Sequence, residues 1–362
     1  MLFYAQTMPG VEEIAWLEIR EKLPTAQFVE KLFAKEKNGI VVFEYDGDPN
    51  DLLQLRTTED VFILALSLKD VSRGWKDLYK LTELIGKKGE FRYAVDALMA
   101  FQKSKNMTGT PTYRVISRQY GRYEYRRKDL GRSVEKGMKA QYKTWRHVDD
   151  HARVEVWVNL LGSRLICGLR LTDRTMRHRF NKKKELPASL RPSMAAAMVF
   201  LTQPQDGDVF LDPMCGSGTL LMERRLAGAY GQMLGGDIDN TRAIAAKLNV
   251  RGMRKKRPFQ FSTHQFDAQT MPFETSSIDK MVVNLPFGKQ IGSPKEIKQL
   301  YPRFFAEVAR VLRVNGRVVV LSSKFELVKN TVRRQPGLTL VTGYSVAILG
   351  RWGRIYIIER TD

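Results

Sequence analysis

Asp212-Pro213-Met214-Cys215-Gly216-Ser217-Gly218-Thr219 follows directly on the apolar run 209–211 and opens a helix-forming stretch, 218–226. Strand, glycine turn and helix in that order start a unit whose parallel strands hold ligands at their carboxyl ends. Glycines in such a turn let the backbone approach a ligand closely. Two familiar loops are excluded by residue type. A dinucleotide fingerprint needs a third glycine, but Gly218 is followed by Thr219, Leu220 and Leu221. A phosphate-cradling loop needs Gly-Lys followed by Ser or Thr, which this loop lacks. Asp212, placed ahead of the glycines, instead offers a partner for a cationic amino-acid moiety of the kind S-adenosylmethionine carries.

Downstream, strands and helices alternate. Residues 233–235 read as a strand, 240–251 as a helix, and 278–283 and 317–321 as buried strands separated by a helix over 297–312. This grammar predicts an α/β fold with a mostly parallel sheet covered on both faces. Gly235-Gly236-Asp237-Ile238-Asp239 ends the second strand, where a carboxylate accepts from both hydroxyls of a ribose. That role goes to Asp237, with Ile238 beside it; Asp239 is expected mainly to cap the following helix. Asp267-Ala268 follows the third strand; Asp267 suits an adenine amino group and equally a simple turn.

The second chemical signal is Asn284-Leu285-Pro286-Phe287-Gly288, after the apolar strand. An exocyclic amine on a base is a poor nucleophile, because its lone pair is delocalised into the ring. The Asn284 side-chain oxygen and the Leu285 carbonyl can both accept from such an NH2 group and turn its lone pair toward a methyl donor. Pro286 stiffens the turn, and Phe287 offers a ring to stack on the base. The work required is placement, with nitrogen held about 3–3.5 Å from the methyl carbon. The target base has to leave its stack to reach such a pocket. Cytosine C5 chemistry needs a cysteine nucleophile near the base. Cys215 lies inside the glycine loop instead and is expected simply to pack there.

Upstream the pattern is mixed. Strands are expected at 2–6, 39–45 and 60–68, and an amphipathic helix at 10–23 with Val11, Ile14, Leu17 and Ile19 on its apolar face. A strand over 113–118 precedes a helix over 130–145. In that helix Leu130, Val134, Met138 and Tyr142 form one stripe, and Arg132, Lys136, Lys139, Lys143 and Arg146 form another. Five like charges on one face destabilise a helix unless an anion relieves them; phosphate contact is the favoured reading over a solvated face. Residues 153–160 alternate, with Val154, Val156, Val158 and Leu160 on one side, and 165–171 is the expected partner across the turn at Gly162. The basic stretch 173–185, with Arg174, Arg177, Arg179, Lys182, Lys183 and Lys184, reads as a linker, either exposed or lying against RNA.

The whole chain of 362 residues is long enough for two or three domains. Its 60 Lys plus Arg against 39 Asp plus Glu give a formal charge of +21, which points to a polyanionic partner, nucleic acid ahead of an anionic membrane. Two cysteines, Cys167 and Cys215, exclude a disulfide framework. The four histidines do not combine with cysteine at zinc-ligand spacing, so no metal is expected. The first residues lack the apolar core of a signal peptide, and no stretch approaches the roughly 20 apolar residues of a membrane helix. A cytoplasmic protein without membrane association is therefore expected.

These motifs together resemble those of the THUMP-domain RNA methyltransferases, along most of the chain. Met8-Pro9-Gly10-Val11-Glu12-Glu13-Ile14-Ala15 is similar to that family's N-terminal start. Residues 113–118, the basic helix and 154–173 resemble its THUMP region, and Ala188-Ser189-Leu190-Arg191-Pro192-Ser193-Met194-Ala195-Ala196-Ala197 resembles its helix leading into the catalytic domain. The resemblance implies a ferredoxin-like domain over 1–59, a THUMP RNA-binding domain over 60–174, a linker over 175–187 and a Rossmann-fold S-adenosylmethionine methyltransferase domain over 188–362. It implies S-adenosylmethionine as donor, with S-adenosylhomocysteine as product. Asp212, Met214, Cys215, Gly216, Ser217, Gly218 and Thr219 would surround it, together with Asp237, Ile238, Asp267, Ala268 and Asn284. It implies Asn284, Leu285, Pro286 and Phe287 as the catalytic turn and a guanosine N2 amine of tRNA as acceptor. The 3′ CCA end would be gripped by the THUMP region, in a monomeric protein without metal. Arg132, Lys136, Lys139, Lys143, Arg146, Arg174, Arg177, Lys182 and Lys183 are the expected RNA contacts. The usual family turn is Asn/Asp-Pro-Pro-Tyr/Phe. Leu285 in place of the first proline is similar to the subgroup acting on guanosine 6 of the acceptor stem and keeps the carbonyl in place. A guanosine 10 or ribosomal-RNA guanine enzyme, a DNA-adenine or protein-amide methyltransferase, and a non-catalytic RNA-binding protein are the alternatives.

Overall fold

The structure is a computed structural model that describes residues 1–34, 38–87, 89–187, 189–253, 260–287, 293–348 and 350–362. It divides into two compact units: residues 1–7 with 19–176, and residues 8–18 with 177–362.

In the first unit, β1 (Leu2–Thr7), β2 (Gln27–Ala34), β3 (Asn38–Glu44) and β4 (Asp60–Leu68) join β5 (Thr112–Tyr120), β6 (Arg146–His147), β7 (Val154–Leu161) and β8 (Arg164–Arg170). Among the described residues they form one eight-stranded sheet in the order β2-β3-β1-β4-β8-β7-β5-β6. Strands from both expected N-terminal domains thus share this sheet, joined where β1 pairs with β4. Between the strands the chain forms α1 (Glu12–Lys22), of which residues 12–18 belong to the second unit, and α2 (Lys76–Gly86), α3 (Glu90–Ser104) and α4 (Arg127–Gln141).

One expectation fails here for a physical reason. The helix predicted to reach residue 145 ends at Gln141, because Arg146 and His147 extend to pair in parallel with Thr112 and Tyr113. Leu130, Val134, Met138 and Tyr142 are buried as expected. Of the five cations only Arg132, Lys136 and Lys139 ride on the helix; Lys143 lies beyond it and Arg146 is in β6. The apolar face of β7, Val154, Val156, Val158 and Leu160, is buried, and so are Glu155, Trp157 and Asn159 on its other face. Glu155 is tolerated because Arg170 reaches it at 3.1 Å while also holding Asp60 at 2.5 Å. A buried carboxylate needs such a partner.

The second unit is a three-layer α/β/α sandwich. Its strands β9 (Val209–Asp212), β10 (Gln232–Asp237), β11 (Phe261–Gln265), β12 (Ile278–Asn284) and β13 (Leu312–Ser322) run parallel. The antiparallel strands β14 (Leu338–Ile348) and β15 (Arg351–Arg360) complete the order β11-β10-β9-β12-β13-β15-β14. The helices are α5 (Pro192–Leu201), α6 (Thr219–Ala227), α7 (Asn240–Arg251), α8 (Pro294–Val311) and α9 (Phe325–Arg334).

Successive strand residues enter opposite cores, as the period of two requires. Phe210, Met233, Val282, Val319 and Leu321 pack with α5, α6 and α7. Leu211, Leu234, Met281, Val283, Val318 and Val320 pack with Ile297, Tyr301, Phe304, Phe305 and Val308 of α8 and with Val328 and Val332 of α9. The α8 residues recur at three and four, the stripe of a helix laid on a sheet. Ser293 and Glu296 close a capping box at its start.

Met8, Val11 and Ile14 belong to the α5-side core of this second unit. The Pro9 carbonyl accepts from Ala347 N at 2.9 Å in β14. A Cβ on Gly10, at φ +89°, would lie 2.1 Å from the Ser345 carbonyl oxygen, so only glycine fits there. The family-like opening of the chain thus packs with the C-terminal unit. Among the described residues no helix is long and apolar enough to cross a membrane.

Candidate active site

The sheet order reverses direction between β9 and β12, which is where open parallel sheets leave a crevice at their carboxyl ends. Gly235 of β10 is level with Asp212, and Leu211 of β9 is level with Met281 of β12. Asp237 and Asn284 therefore each run two residues past the level of Asp212. At about 3.3 Å per residue the flanking strands overtop β9 by about 7 Å. Asp212 forms the floor of the resulting notch, with Asp237 on one side and Asn284 on the other.

The glycine loop is tied down at several points. Cys215 N donates to the Gly236 carbonyl at 2.7 Å, and Gly216 N donates to Asp237 Oδ2 at 3.0 Å. Met214 N donates to Asp212 Oδ1 at 3.2 Å. Gly218, at φ +80°, starts α6 so close to α7 that a Cβ would meet Ala246 Cα at 3.0 Å. At Gly216, φ +51°, a Cβ would meet nothing within 4 Å, so the loop has open space there.

Charge in this notch is unbalanced. Asp212 is completely buried and its Oδ2 has no hydrogen-bond partner among the described residues. Burial pushes its carboxyl well above the usual carboxylate range; the Met214 N–H pulls the other way and nearby Asp237 adds to the rise. Burial and the same two carboxylates push the Cys215 thiol up as well, so it is a packed thiol and no nucleophile. Asp237 accepts from Gly216 N with Oδ2 and from Asp239 N with Oδ1 at 3.1 Å. A carboxylate has about four lone-pair sites, so acceptor capacity remains. Ile238 is exposed beside it. Asp239 caps α7, accepting from Thr241 N at 2.9 Å. Asp267 Oδ1 accepts from Gln269 N at 2.9 Å, making the turn after β11, with Ala268 buried next to it.

Opposite, Asn284 ends β12 and its Oδ1 is buried without a hydrogen-bond partner among the described residues. Leu285 N donates to the Leu321 carbonyl at 3.1 Å, anchoring the turn to β13. Phe287 packs against the α5-side core. Gly288 and Ala188 lie outside the described residues. Sequence reading missed Tyr301 on α8, whose hydroxyl donates to the Pro286 carbonyl at 3.1 Å and contacts Ser322 Oγ at 2.8 Å. Its burial raises the phenol to about 12, while the hydrogen bond with Ser322 pulls the other way.

The stretch 177–187 is not a free linker. Lys182 Nζ donates to Thr219 Oγ1 at 2.8 Å and Ser217 Oγ at 3.2 Å, so an expected RNA contact turns out to hold the glycine loop. Arg179 pairs with buried Glu223 at 3.3 Å. Lys183 is exposed. In the first unit Arg132 is exposed beside Asp129, Arg174 pairs with Asp150 at 2.5 Å, and Lys136, Lys139, Lys143 and Arg146 are exposed.

Residues 179–352 match the family described as "UPF0020: RMKL-like, methyltransferase domain". This stretch is a methyltransferase domain. The chain is 29% identical over 245 residues to the bovine (Bos taurus) "tRNA (guanine(6)-N(2))-methyltransferase THUMP3", covering 65% of this chain and 47% of that protein. It thus spans about half the length, or less, of the mammalian relatives it matches. It is 27% identical over 264 residues to the Thermus thermophilus "tRNA (guanine(6)-N2)-methyltransferase", covering 70% of this chain and 74% of that one. The crystal structure of TrmN from Thermus thermophilus, 23% identical, superposes with a TM-score of 0.73 over 99% of both chains. The methyltransferase domain and the strands before it thus share that protein's fold.

Proposed function

We propose that this chain is an S-adenosylmethionine-dependent methyltransferase acting on the N2 amine of a guanosine in tRNA, at position 6 of the acceptor stem. The reading is carried by two unpartnered buried acceptors, Asp212 Oδ2 and Asn284 Oδ1, on neighbouring strands at the crevice. Each is an acceptor left waiting for a donor, which costs free energy until one arrives.

The donor fits these residues. Asp212 suits its ammonium group, the remaining capacity of Asp237 suits its ribose hydroxyls, and Asp267 with Ala268 borders the adenine side. S-adenosylmethionine supplies a methyl group made electrophilic by its sulfonium and is left as S-adenosylhomocysteine. Asn284 Oδ1 and the Leu285 carbonyl accept the two N–H groups of the acceptor amine and orient its lone pair. Neither is a base, so the amine's proton departs after transfer. Pro286 is held by Tyr301, and Phe287 flanks the base. Residues 60–174 act as the THUMP region that grips the CCA end, next to a ferredoxin-like portion within 1–59. Arg132, Lys136, Lys139, Lys143, Arg146, Arg174, Arg177 and Lys183 serve phosphates, in keeping with the charge of +21. Position 6 is favoured by Leu285 and by the names of the relatives.

The test incubates the chain with bulk tRNA and methyl-labelled donor, digests to nucleosides and maps the product. N2-methylguanosine at position 6, lost when the CCA end is removed, is expected. Label on another base would overturn the acceptor assignment, and label insensitive to the CCA end would overturn the gripping role.

A further inference from the structure

We propose that Lys182 is an anion-binding residue of the donor pocket, taking the α-carboxylate of the donor's amino-acid moiety. This rests on the donor reading above and adds a residue that reading does not use.

The residue sits in a fixed place. Asn249, buried in α7, accepts from Lys184 N at 3.0 Å and donates to the Lys184 carbonyl at 2.8 Å. The same Nδ2 donates to the Ser217 carbonyl at 2.9 Å. One amide side chain thus clamps the 182–184 strand of chain to the glycine loop. Ser217 Oγ also meets Ser189 Oγ at 2.8 Å. Lys182 therefore arrives at the loop by construction, not as a swinging surface lysine.

Its charge is not neutralised. An ammonium has three protons. Two point at neutral hydroxyls, Ser217 and Thr219, and no carboxylate among the described residues forms an ion pair with Nζ. Glu185 acts only at longer range, and burial pulls the ammonium's pKa below its ordinary value. A half-buried cation without a counter-charge is costly, and a bound anion relieves that cost. The site adds a second positive feature: α6 begins beside these hydroxyls, at Gly218, with no side chain capping it, so its first N–H groups carry the positive end of the helix dipole uncapped.

The other end of the loop carries the opposite imbalance, the partnerless Asp212 Oδ2. One short loop thus offers an acceptor for an ammonium and a donor for a carboxylate. That pairing matches an α-amino acid zwitterion and not a phosphate, which offers no N–H donor to Asp212 Oδ2.

Calorimetry on the full chain tests this, using S-adenosylhomocysteine and its decarboxylated analogue. The unaltered chain should prefer S-adenosylhomocysteine roughly 10- to 100-fold, as a charge-assisted contact implies. Lys182→Met should erase the preference by weakening S-adenosylhomocysteine alone, and Lys182→Arg should keep part of it. Unchanged preference in Lys182→Met, or equal weakening of both compounds, overturns the proposal. An unaltered chain that binds neither compound overturns the donor reading itself.

Discussion

The Tyr301 hydroxyl donates to the Pro286 carbonyl at 3.1 Å, so a residue of α8 fixes the turn that follows Asn284. The carbonyl can only accept, which sets the direction of the whole chain of bonds. Lys324 N donates to Ser322 Oγ at 2.9 Å, Ser322 donates to Tyr301, and Tyr301 donates to Pro286. Tyr301→Phe keeps the ring and removes the last link. Loss of one such bond costs about 1 kcal/mol of stability. Misplacing the turn should lower kcat about 3- to 30-fold while leaving S-adenosylhomocysteine affinity unchanged. Single-turnover assays beside calorimetry check the split; a loss confined to cofactor affinity would contradict it.

Asn284→Ala removes the partnerless side-chain acceptor but keeps the strand and the Leu285 carbonyl. Methyl transfer should fall by about 10²–10³-fold, the scale seen when one preorganised polar group is lost from a reacting centre. Cofactor affinity should stay nearly intact. Full activity in this variant would remove Asn284 from the mechanism.

Asp212 gives a pH signature. Burial raises its carboxyl, so in the free protein the proton is retained above the usual carboxylate range. An ammonium-bearing ligand prefers the ionised form, so binding expels that proton. Affinity for S-adenosylhomocysteine should therefore rise with pH from the acid side and level off once pH passes the raised value. In the absence of ligand the sign for stability is opposite to that of an ion-paired carboxylate: the contribution is present at low pH and lost as pH rises through the raised value. Calorimetry in buffers of different ionisation enthalpy measures the released proton. Asp212→Asn should show no such proton and bind more weakly; a pH-independent affinity in the unaltered chain would refute the assignment.

The two loop glycines should differ. Gly218→Ala meets both a positive φ and the Ala246 backbone at 3.0 Å, whereas Gly216→Ala meets the φ alone. The first should cost about 2–4 kcal/mol and the second about 1 kcal/mol. Thermal unfolding should rank them in that order, and the reverse order would deny the close approach of α6 to α7.

Lys136 and Lys139 remain exposed on α4 after its shortening. If they meet phosphates, replacing both by Ala should reduce the slope of log affinity for tRNA against log salt by about 1–2. S-adenosylhomocysteine binding should not change. An unaltered salt slope would return this face to solvent.

Much of the second unit was legible because its signals are local. Strand, glycine turn and helix at Asp212–Thr219 need only neighbours in sequence, and so does the Asp239 cap. What escaped depends on distant partners. The α4 helix stops where β5 offers Arg146 and His147 a strand to pair with, which periodicity cannot foresee. The burial of Glu155 depends on Arg114 and Arg170, which come from other strands of the sheet. Tyr301 sits in the apolar stripe of α8 and reads as core; only its hydroxyl, which must find a partner when buried, hints at more. Lys182 looked like one lysine in a basic run, and its place at the glycine loop comes from Asn249, far along the chain.

Residues 8–18 belong to the C-terminal unit although 19–176 lie between them in the chain. Residues 8–18 emerge before 177–362 during vectorial synthesis, so they are made ahead of the core that receives them. Until it is made Met8, Val11 and Ile14 have no core to enter, and the nascent chain must carry them unsatisfied. A fragment cut at Arg177 would leave an open apolar scar on the α5 face, so limited proteolysis should not release a stable C-terminal half.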